Sequence, residues 1–399
     1  MPITDSLNRL RRDLPRLQAM IAEAGVEGWL LFDFRGRNPI AAAVLGPEIL
    51  GSRRVYVLIS PQGPPIALVH AIDNELWRGW PADWPKHVWV TRDALTVELG
   101  ALVRGKRLAV DYSPHGAIPY LDGVPAGVAE LLVSLGATLV SSSDLVTRYC
   151  SVWTPDDVAA HRRAAEIIAT IAREALTLAG ARSVTSKPMS EHELAVWIRE
   201  RFDRAGLITD SGPSVSWGPN AARTHYEPTA SESVAIVPGA LLLVDLWATE
   251  PGRIYADQTW MAAIGAPSDR DGHLWEVVRQ ARDAALDLIG RRVRRGEQVQ
   301  GAEGDAAAKG VIANAGYLEF TQSRTGHSID RYGLHGFGPP IDDTETYDAR
   351  LLIPGVGFSI EPGIYISGKT GVRSEVNVVI MESDILITPA KYQTELPVV

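Results

Sequence analysis

The chain has 399 residues, of which 46% are apolar and 22% are charged, a balance typical of a folded globular protein. Its net charge of −9 argues against a nucleic-acid partner, because phosphate binding needs clustered Lys and Arg side chains. The sequence has neither a long apolar run nor a signal-peptide pattern, so we expect no membrane partner. A single cysteine, Cys150, cannot form an internal disulfide, so a cytoplasmic protein is predicted.

Helical and strand-like patterns alternate in the N-terminal part of the chain. A helix is predicted over 6–24, and strands are predicted over 28–34, 54–59, 66–70 and 107–110. This alternation predicts a small α/β domain. The pattern breaks near Thr154, which can cap a helix whose first turn holds Pro155. We therefore predict two domains, residues 1–152 and 153–399.

Longer helices and then strands are predicted for the second domain. Helices are expected over 156–178 and 190–205, and the second opens with Ser190 and Glu193 in the spacing of a capping box. Strands dominate from Val215 onward, interrupted by helical patterns over 273–288 and 302–314. This order predicts an α+β domain.

A first hairpin places two carboxylates in otherwise apolar strands. With a loop at 250–252, the register sets Asp245 directly opposite Asp257, so that both face the same side. Like charges across a strand pair repel each other, so something must compensate them. A cation bound between the two carboxylates is the simplest candidate.

The same construction recurs near the C-terminus. Strands over 358–366 and 372–380 flank a predicted five-residue loop, 367–371, and Glu361 is expected opposite Glu375. Two such hairpins favour a metal site over four separate ion-paired or solvated carboxylates.

Three histidines accompany these carboxylates: His225, His327 and His335. Each alone would be interpreted as a structural or surface residue. A cluster of carboxylates with an imidazole, however, suits Mn²⁺, Co²⁺ or Zn²⁺. Two such ions can hold a bridging hydroxide and polarise a carbonyl, which indicates a hydrolase.

The residues resemble a known family, the M24 or "pita-bread" metallopeptidases, which include methionine aminopeptidase, aminopeptidase P and prolidase. The resemblance rests on "GPNAARTHYEP", "TGHSIDRYGLHG", "SIEPGIY" and "GVRSEV", and it covers residues 155–399 strongly. Residues 1–150 resemble, more loosely, the creatinase-like N-terminal α/β domain of prolidase and aminopeptidase P. The fold implied is a pita-bread catalytic domain of α+β class, preceded by that smaller domain.

The resemblance also implies a role for each matched residue. Asp245 would bind one ion, His327 and Glu361 the other, and Asp257 and Glu375 both. Glu361 would also act as the general base toward the bridging water. The remaining roles are active-site histidines and an arginine that orients a ligating carboxylate, implied for His225, His335 and Arg373. Two divalent ions are therefore expected, Mn²⁺ first and Co²⁺ or Zn²⁺ as alternatives.

The sequence departs from the family pattern at several positions. The family's tyrosine three residues before the second aspartate is displaced by one position, to Tyr255, which alternation still sets on the same strand face as Asp257. The arginine with which prolidases bind the substrate carboxylate is replaced by Tyr347. A dipeptidase then needs another cation, and our hypothesis is that Arg35 or Arg37 supplies it.

The resemblance predicts an Xaa-Pro dipeptidase (prolidase), acting on a small peptide with proline at its second position. Aminopeptidase P, which acts on longer peptides, is the alternative, favoured by the missing carboxylate-binding arginine. A third hypothesis is a non-peptidase hydrolase or a binding protein on the same fold. The sequence retains all five ligand positions, which argues against this hypothesis. Members of the family are commonly dimers, so a homodimer is expected.

Overall fold

The computed structural model describes residues 3–224 and 226–399, with the side chains from residue 5 onward. The chain divides into two units, one ending at Cys150 and the other running from Ser151 to Val399.

The N-terminal unit is built on one mixed sheet. Its helices are α1 (Ile3–Glu23), α2 (Pro39–Leu45), α3 (Arg92–Val103), α4 (Ala126–Ser134) and α5 (Ser143–Val146). Its strands are β1 (Gly28–Asp33), β2 (Val55–Ile59), β3 (Ile66–His70), β4 (Lys86–Trp89), β5 (Arg107–Val110) and β6 (Thr138–Ser141), in the order β4-β3-β2-β1-β5-β6. Every residue of β1 is buried, as expected for a central strand that is covered on both faces.

A polar network fixes the loop between β1 and α2. Asn38 caps α2, and its side-chain amide donates to Asp111 Oδ2 at 2.8 Å. Asp33 accepts the backbone N–H groups of Gly36 and Asn38 at 2.7 and 2.8 Å. Arg35 and Arg37 project from this loop and are exposed.

The C-terminal unit contains longer helices. They are α6 (Pro155–Ser183), α7 (Glu191–Arg204), α8 (Asp269–Arg294) and α9 (Gly301–Asn314). The predicted caps are present: Thr154 and Asp157 form a capping box on α6, and Ser190 and Glu193 form one on α7. None of the helices in the described ranges is both long and apolar enough to cross a membrane.

The strands of this unit form two sheets and a ribbon. They are β7 (Ser214–Trp217), β8 (Ala240–Ala248), β9 (Ala256–Ile264), β10 (Ser328–Ile329), β11 (Gly357–Ile360), β12 (Gly363–Ile366), β13 (Thr370–Arg373), β14 (Val376–Ile380) and β15 (Ile385–Thr388). Their order is β7-β8-β9 in one sheet and β10-β11-β14-β15 in the other, and β12 pairs with β13 alone.

Strand β8 is buried between two apolar clusters. Leu242, Val244 and Leu246 pack in a cluster with helices α6 and α7. The alternate residues Leu241 and Leu243 pack in a second cluster with α8, α9 and the C-terminal strands. Asp245 follows on this second face by strand alternation, so a carboxylate is set at the edge of an apolar core.

The register of the β8–β9 hairpin differs from the prediction. Asp245 pairs with Thr259 and Trp247 pairs with Asp257, so the two carboxylates are not directly opposite each other. The predicted three-residue loop was too short, because residues 249–255 all lie outside the ladder. The shift is an even number of residues, so Asp245 and Asp257 still share one face of the sheet.

The second predicted hairpin has a tighter turn than expected. Ile366 pairs with Thr370, which leaves three residues in the loop instead of five. The predicted strand over 358–366 is also divided into β11 and β12 at Glu361 and Pro362. A proline has no N–H group to donate to a ladder, so the division at Pro362 is expected on physical grounds.

Glu361 lies opposite Glu375 as predicted because the loop has three residues, whereas the predicted five-residue loop would have set Glu361 opposite Asn377. Ile360 pairs with Val376 on one side of the break, and Gly363 pairs with Arg373 on the other. One register continues across the break and sets Glu361 opposite Glu375.

Candidate active site

Two carboxylates and one imidazole converge from separate elements of the C-terminal unit. Asp257 lies on β9, His327 immediately precedes β10, and Glu375 lies between β13 and β14. A ligand atom from each lies within 4.8 Å of the others, and all three side chains are buried. His327 Nε2 lies 3.2 Å from Asp257 Oδ2 and 3.3 Å from Glu361 Oε1.

Arg373 joins the remaining two predicted ligands to this cluster. Its guanidinium forms an ion pair with Asp245 and lies 3.5 Å from Glu361 Oε2. The structure therefore brings Asp245, Asp257, His327, Glu361 and Glu375 into one neighbourhood, with Arg373 beside them.

Three further polar residues, which the sequence analysis missed, fix the orientation of these groups. Thr259 Oγ1 donates to Glu375 Oε2 at 2.7 Å and accepts from Arg373 Nε at 2.8 Å. Ser359 Oγ accepts a hydrogen bond from the backbone N–H of His327 at 3.0 Å and donates one to Glu361 Oε1 at 2.9 Å.

Asn377 is the third residue, and its Oδ1 accepts the backbone N–H of Asp257 at 2.8 Å. Thr259, Ser359 and Asn377 each stand two positions from a ligand candidate on the same stretch of chain. Strand alternation gives residues two apart the same face, so this spacing was a signal in the sequence.

Burial and mutual repulsion perturb the carboxylates. Burial raises the pKa of Asp245 to about 7, although its ion pair with Arg373 opposes the shift. Burial, followed by the charges of Asp257 and Glu361, raises the pKa of Glu375 well above its usual range. Burial also opposes ionisation of Glu361, but the charges of His327 and Arg373 outweigh it and lower its pKa.

A divalent cation would satisfy this donor set. Glu375 Oε1 is buried and, among the described residues, has no hydrogen-bond partner. A buried, unpaired carboxylate oxygen is costly unless a cation or a donor compensates it. Carboxylates with one imidazole are ligands that Mn²⁺, Co²⁺ and Zn²⁺ accept, so the residues fit such an ion.

The predicted site residues outside this cluster have different positions. The ring centroids of His335 and His327 are 4.2 Å apart. Desolvation, and then the charge of His327, lower the pKa of His335, which favours its neutral form. Tyr255 packs against an apolar cluster that includes Trp153, and it is not among the described residues that line the cavity beside the carboxylates.

Other predicted residues cannot be assigned to this site. His225 lies outside the described residues. Arg35 and Arg37 belong to the N-terminal unit, and their role stays a prediction. Tyr347, at the position of the missing carboxylate-binding arginine, is 64% exposed.

A cavity of about 770 Å³ opens onto the carboxylates. Asp245, Asp257, His327, His335 and Glu361 contribute to its lining. Further lining residues are Trp247 on β8 and three loop residues, Asp210, Arg324 and Glu345.

One buried carboxylate anchors a wall of this cavity. Glu191, the first residue of α7, is fully buried. It accepts hydrogen bonds from Tyr226 Oη at 2.6 Å, Trp217 N at 2.6 Å and Val234 N at 3.1 Å. Because Tyr226 lines the cavity, Glu191 ties that wall to the helix.

A carboxylate–imidazole cluster on the strands of an α+β unit, beside a cavity, is typical of metal-dependent hydrolases. The chain belongs to metallopeptidase family M24, whose family model matches residues 159–382. Its fold is the pita-bread fold of that family, preceded by an N-terminal domain.

Similar proteins include peptidases with related names. The chain is 36% identical to the Xaa-Pro dipeptidase of Lactobacillus helveticus over 162 residues, which are 40% of each protein. It is 30% identical to the probable dipeptidase PepE of Mycobacterium tuberculosis over 263 residues, 65% of this chain and 64% of that protein. The matched segments therefore span less than two thirds of either relative.

The likeness of the folds extends over the whole chain. The crystal structure of dipeptidase PepE from Mycobacterium ulcerans matches with a TM-score of 0.76 and 24% sequence identity, covering 98% of each chain. At 24% sequence identity, this match shows that the two proteins share a fold.

Proposed function

We propose that the protein is a metal-dependent Xaa-Pro dipeptidase, which hydrolyses the peptide bond before proline. The observation that carries this proposal is the convergence of Asp257, His327 and Glu375 within 4.8 Å of one another, beside a cavity that Asp245 and Glu361 also line. Membership of the M24 family supports the peptidase chemistry, and the name of the Lactobacillus helveticus relative supports proline as the second residue.

Two divalent ions would be held by these five side chains. We assign Asp245 to one ion, His327 and Glu361 to the other, and Asp257 and Glu375 to both. When bound, the ions supply an activated water and a Lewis acid for the scissile carbonyl. Mn²⁺ is our first candidate, and Co²⁺ and Zn²⁺ are the alternatives.

Glu361 is the proposed general base. A base must be ionised to accept a proton, and the lowered pKa of Glu361 favours that form at neutral pH. The hydroxyl of Ser359 and the guanidinium of Arg373 hold its two oxygens in place. Glu361 can then receive the proton of the attacking water and deliver it to the leaving amine.

His335 and His225 are proposed to contact the reacting peptide. A neutral imidazole can donate one hydrogen bond and accept another, and the lowered pKa of His335 favours this form. One histidine would stabilise the tetrahedral intermediate, and the other would contact the substrate near the scissile nitrogen.

Aminopeptidase P is the second candidate. It is favoured by the exposed Tyr347, which stands where a carboxylate-binding arginine is expected. Against it, Arg324 lines the cavity, and within the described ranges no carboxylate oxygen forms an ion pair with its guanidinium. A free cation in the cavity suits the carboxylate of a dipeptide.

Hydrolysis of Leu-Pro and Ala-Pro, compared with that of Ala-Pro-Ala, tests the proposal. Chelated protein is reconstituted with Mn²⁺, Co²⁺ or Zn²⁺, and Glu361→Gln serves as the inactive control. We expect metal-restored cleavage of the dipeptides alone. Cleavage of the tripeptide would assign aminopeptidase P, and no cleavage of any substrate would favour the non-peptidase hypothesis.

We also propose a cytoplasmic homodimer. The single cysteine of the sequence supports a reducing compartment. Light scattering on the purified protein measures the mass of the assembly, and a mass of one chain would contradict the dimer.

A further inference from the structure

The lining of the cavity combines charged groups with apolar surface. Two of its aromatic residues, Tyr226 and Tyr365, are each only 2% exposed and present little ring surface to a ligand. Trp247 is only half-buried, and it is one of the residues that line the cavity. It therefore offers a ligand an extended apolar face.

The indole of Trp247 is held at both ends. Its Nε1 donates to Asp210 Oδ1 at 2.8 Å. Its six-membered ring lies against Gly212, where an added Cβ would stand 2.5 Å from Cη2. A side chain at position 212 would displace the ring, so the glycine is needed for the indole to pack in this position.

Trp247 also has a defined position relative to the proposed chemistry. It follows Asp245 by two residues on β8, so both side chains share a face. It pairs with Asp257 across the hairpin. The indole therefore borders the carboxylates beside which the peptide bond would be cleaved.

The charge beside the indole indicates which end of a peptide would lie there. Asp210 carries its carboxylate at the indole N–H and lines the same cavity. In an Xaa-Pro dipeptide the α-ammonium belongs to Xaa, whereas the proline carries the carboxylate. Charge complementarity therefore favours Xaa, not proline, at Trp247.

We propose that Trp247, with Asp210, forms the recognition surface for Xaa and selects substrates whose Xaa is aliphatic or aromatic. This inference rests on the proposed function, because it deepens the choice of substrate at the same site. Trp247 is a specificity-determining residue in this scheme, and it takes no part in proton transfer.

The test is a series of substrates that differ only in Xaa: Gly-Pro, Ala-Pro, Leu-Pro and Phe-Pro. The wild-type chain should cleave Leu-Pro with a kcat/KM about tenfold above that for Gly-Pro, the factor that partial burial of a leucine side chain supplies. Trp247→Ala should remove most of this ratio, and Trp247→Phe should retain part of it.

Trp197→Ala is the matched control, because it removes a half-buried indole on α7 that is outside this cavity. It should leave the Leu-Pro to Gly-Pro ratio unchanged. Circular dichroism checks that each variant is folded, and the ratio itself is insensitive to a loss of active protein. An equal loss on all four substrates in Trp247→Ala would overturn the proposal.

Calorimetric binding of Leu-Pro and Gly-Pro to Glu361→Gln separates this inference from the proposed function. If the wild-type chain cleaves no dipeptide, but Leu-Pro binds more tightly and Trp247→Ala removes the difference, the peptidase proposal fails and the recognition surface stands. Cleavage of all four dipeptides with equal kcat/KM would support the peptidase proposal and contradict the recognition surface.

Discussion

The candidate ligands carry more negative charge than the neighbouring side chains balance. Four carboxylates, Asp245, Asp257, Glu361 and Glu375, surround one ion-paired guanidinium, that of Arg373. Burial is the main cause of the raised pKa values of Asp245 and Glu375, and the charges of the neighbouring carboxylates add to it when no cation is bound.

Metal binding should therefore release protons. With a pKa of about 7, the carboxyl of Asp245 is partly protonated at pH 7, and the raised pKa of Glu375 also favours its protonated form. A ligating carboxylate must be ionised, so we expect a net release of protons on metal binding, and an affinity that rises with pH. Titration of Mn²⁺ into chelated protein in PIPES and in Tris measures the number from the difference in heat.

The variant Glu375→Gln provides the control for that titration, because it removes one titrating carboxyl. It should release fewer protons than the wild-type chain. Equal heats in the two buffers for the wild-type chain would contradict the raised pKa values.

Thr259 should contribute to metal affinity without touching the metal. Thr259→Val removes the hydroxyl that bridges Glu375 and Arg373 but keeps the side-chain shape. Loss of such an orienting hydrogen bond typically weakens metal binding about 10- to 100-fold. Competition with a chelator measures this change. Thr170→Val, at an exposed position of α6, should leave the affinity unchanged.

At the residue scale, the sequence predicted which charged residues lie close together better than it predicted the polar residues that orient them. Asp245, Asp257, Glu361 and Glu375 were found because carboxylates in apolar strands are conspicuous, and His327 was named through the family resemblance. Thr259, Ser359 and Asn377 were missed because Ser, Thr and Asn are common in many environments. Their function depends on hydrogen bonds between chain segments that the sequence does not bring together.

Among the elements, strand alternation was more predictable than register. That Asp245 and Asp257 share one face of the sheet follows from the two-residue period of a strand. This prediction was correct although the predicted loop was too short. The register itself depends on where the ladder stops. In β8 that point is set by Thr249, which bridges to Ile208 on a distant segment.

His161 should make the stability of the C-terminal unit depend on pH. Its Nδ1 lies 2.8 Å from the Tyr255 carbonyl oxygen, and its Nε2 lies 2.8 Å from Thr388 Oγ1, so it links α6 to the start of β9 and the end of β15. Burial lowers the pKa of His161 to about 4, so the folded chain keeps it neutral.

The unfolded chain binds a proton at this histidine below its ordinary pKa of 6.5. Stability is therefore complete above that value and is lost as the pH falls toward 4. From pH 8 to pH 5 the loss from this one group is about 2 kcal/mol. Urea unfolding at the two pH values should show His161→Gln losing less than the wild-type chain. His273→Gln, at an exposed position of α8, should lose as much as the wild-type chain, and equal losses in all three chains would reject the prediction.

On the scale of the whole molecule, the two units raise the question of which one supplies a cation for the substrate carboxylate. We propose that Arg35 or Arg37 contributes this cation to a catalytic pocket. Arg35→Ala or Arg37→Ala should then raise KM for Ala-Pro about 10- to 100-fold, the usual loss for a charged hydrogen bond. The KM for prolinamide substrates, which lack the carboxylate, should stay unchanged.

Two further variants, Arg12→Ala and Arg324→Ala, serve as comparisons in that test. Arg12→Ala, in the same N-terminal unit, removes an exposed arginine whose ion pair is with Asp13 and should have no effect. If neither Arg35→Ala nor Arg37→Ala changes KM, the hypothesis fails. Arg324→Ala then becomes the informative variant, because Arg324 lines the cavity of the C-terminal unit itself.

The sequence predicted the C-terminal unit more completely than the N-terminal one. In the C-terminal unit, the caps at Thr154 and Ser190 and the carboxylates of the strands are local signals. In the N-terminal unit, strands β4 and β6 were not predicted, since their residues are largely exposed or half-buried and lack an apolar pattern. The assignment of this unit as a creatinase-like domain stays a prediction.

The connection between β8 and β9 has a consequence for how this chain can change in length. Its start and end are fixed, because Thr249 Oγ1 donates to the Ile254 carbonyl oxygen at 2.9 Å. Residues 251–253 between them are exposed and outside the ladder. An insertion after Gly252 would leave the strand register untouched, whereas one residue added within β9 would turn Asp257 away from the other ligands. This tip is thus where tags, grafted loops or natural insertions can be accommodated while the catalytic face keeps its arrangement.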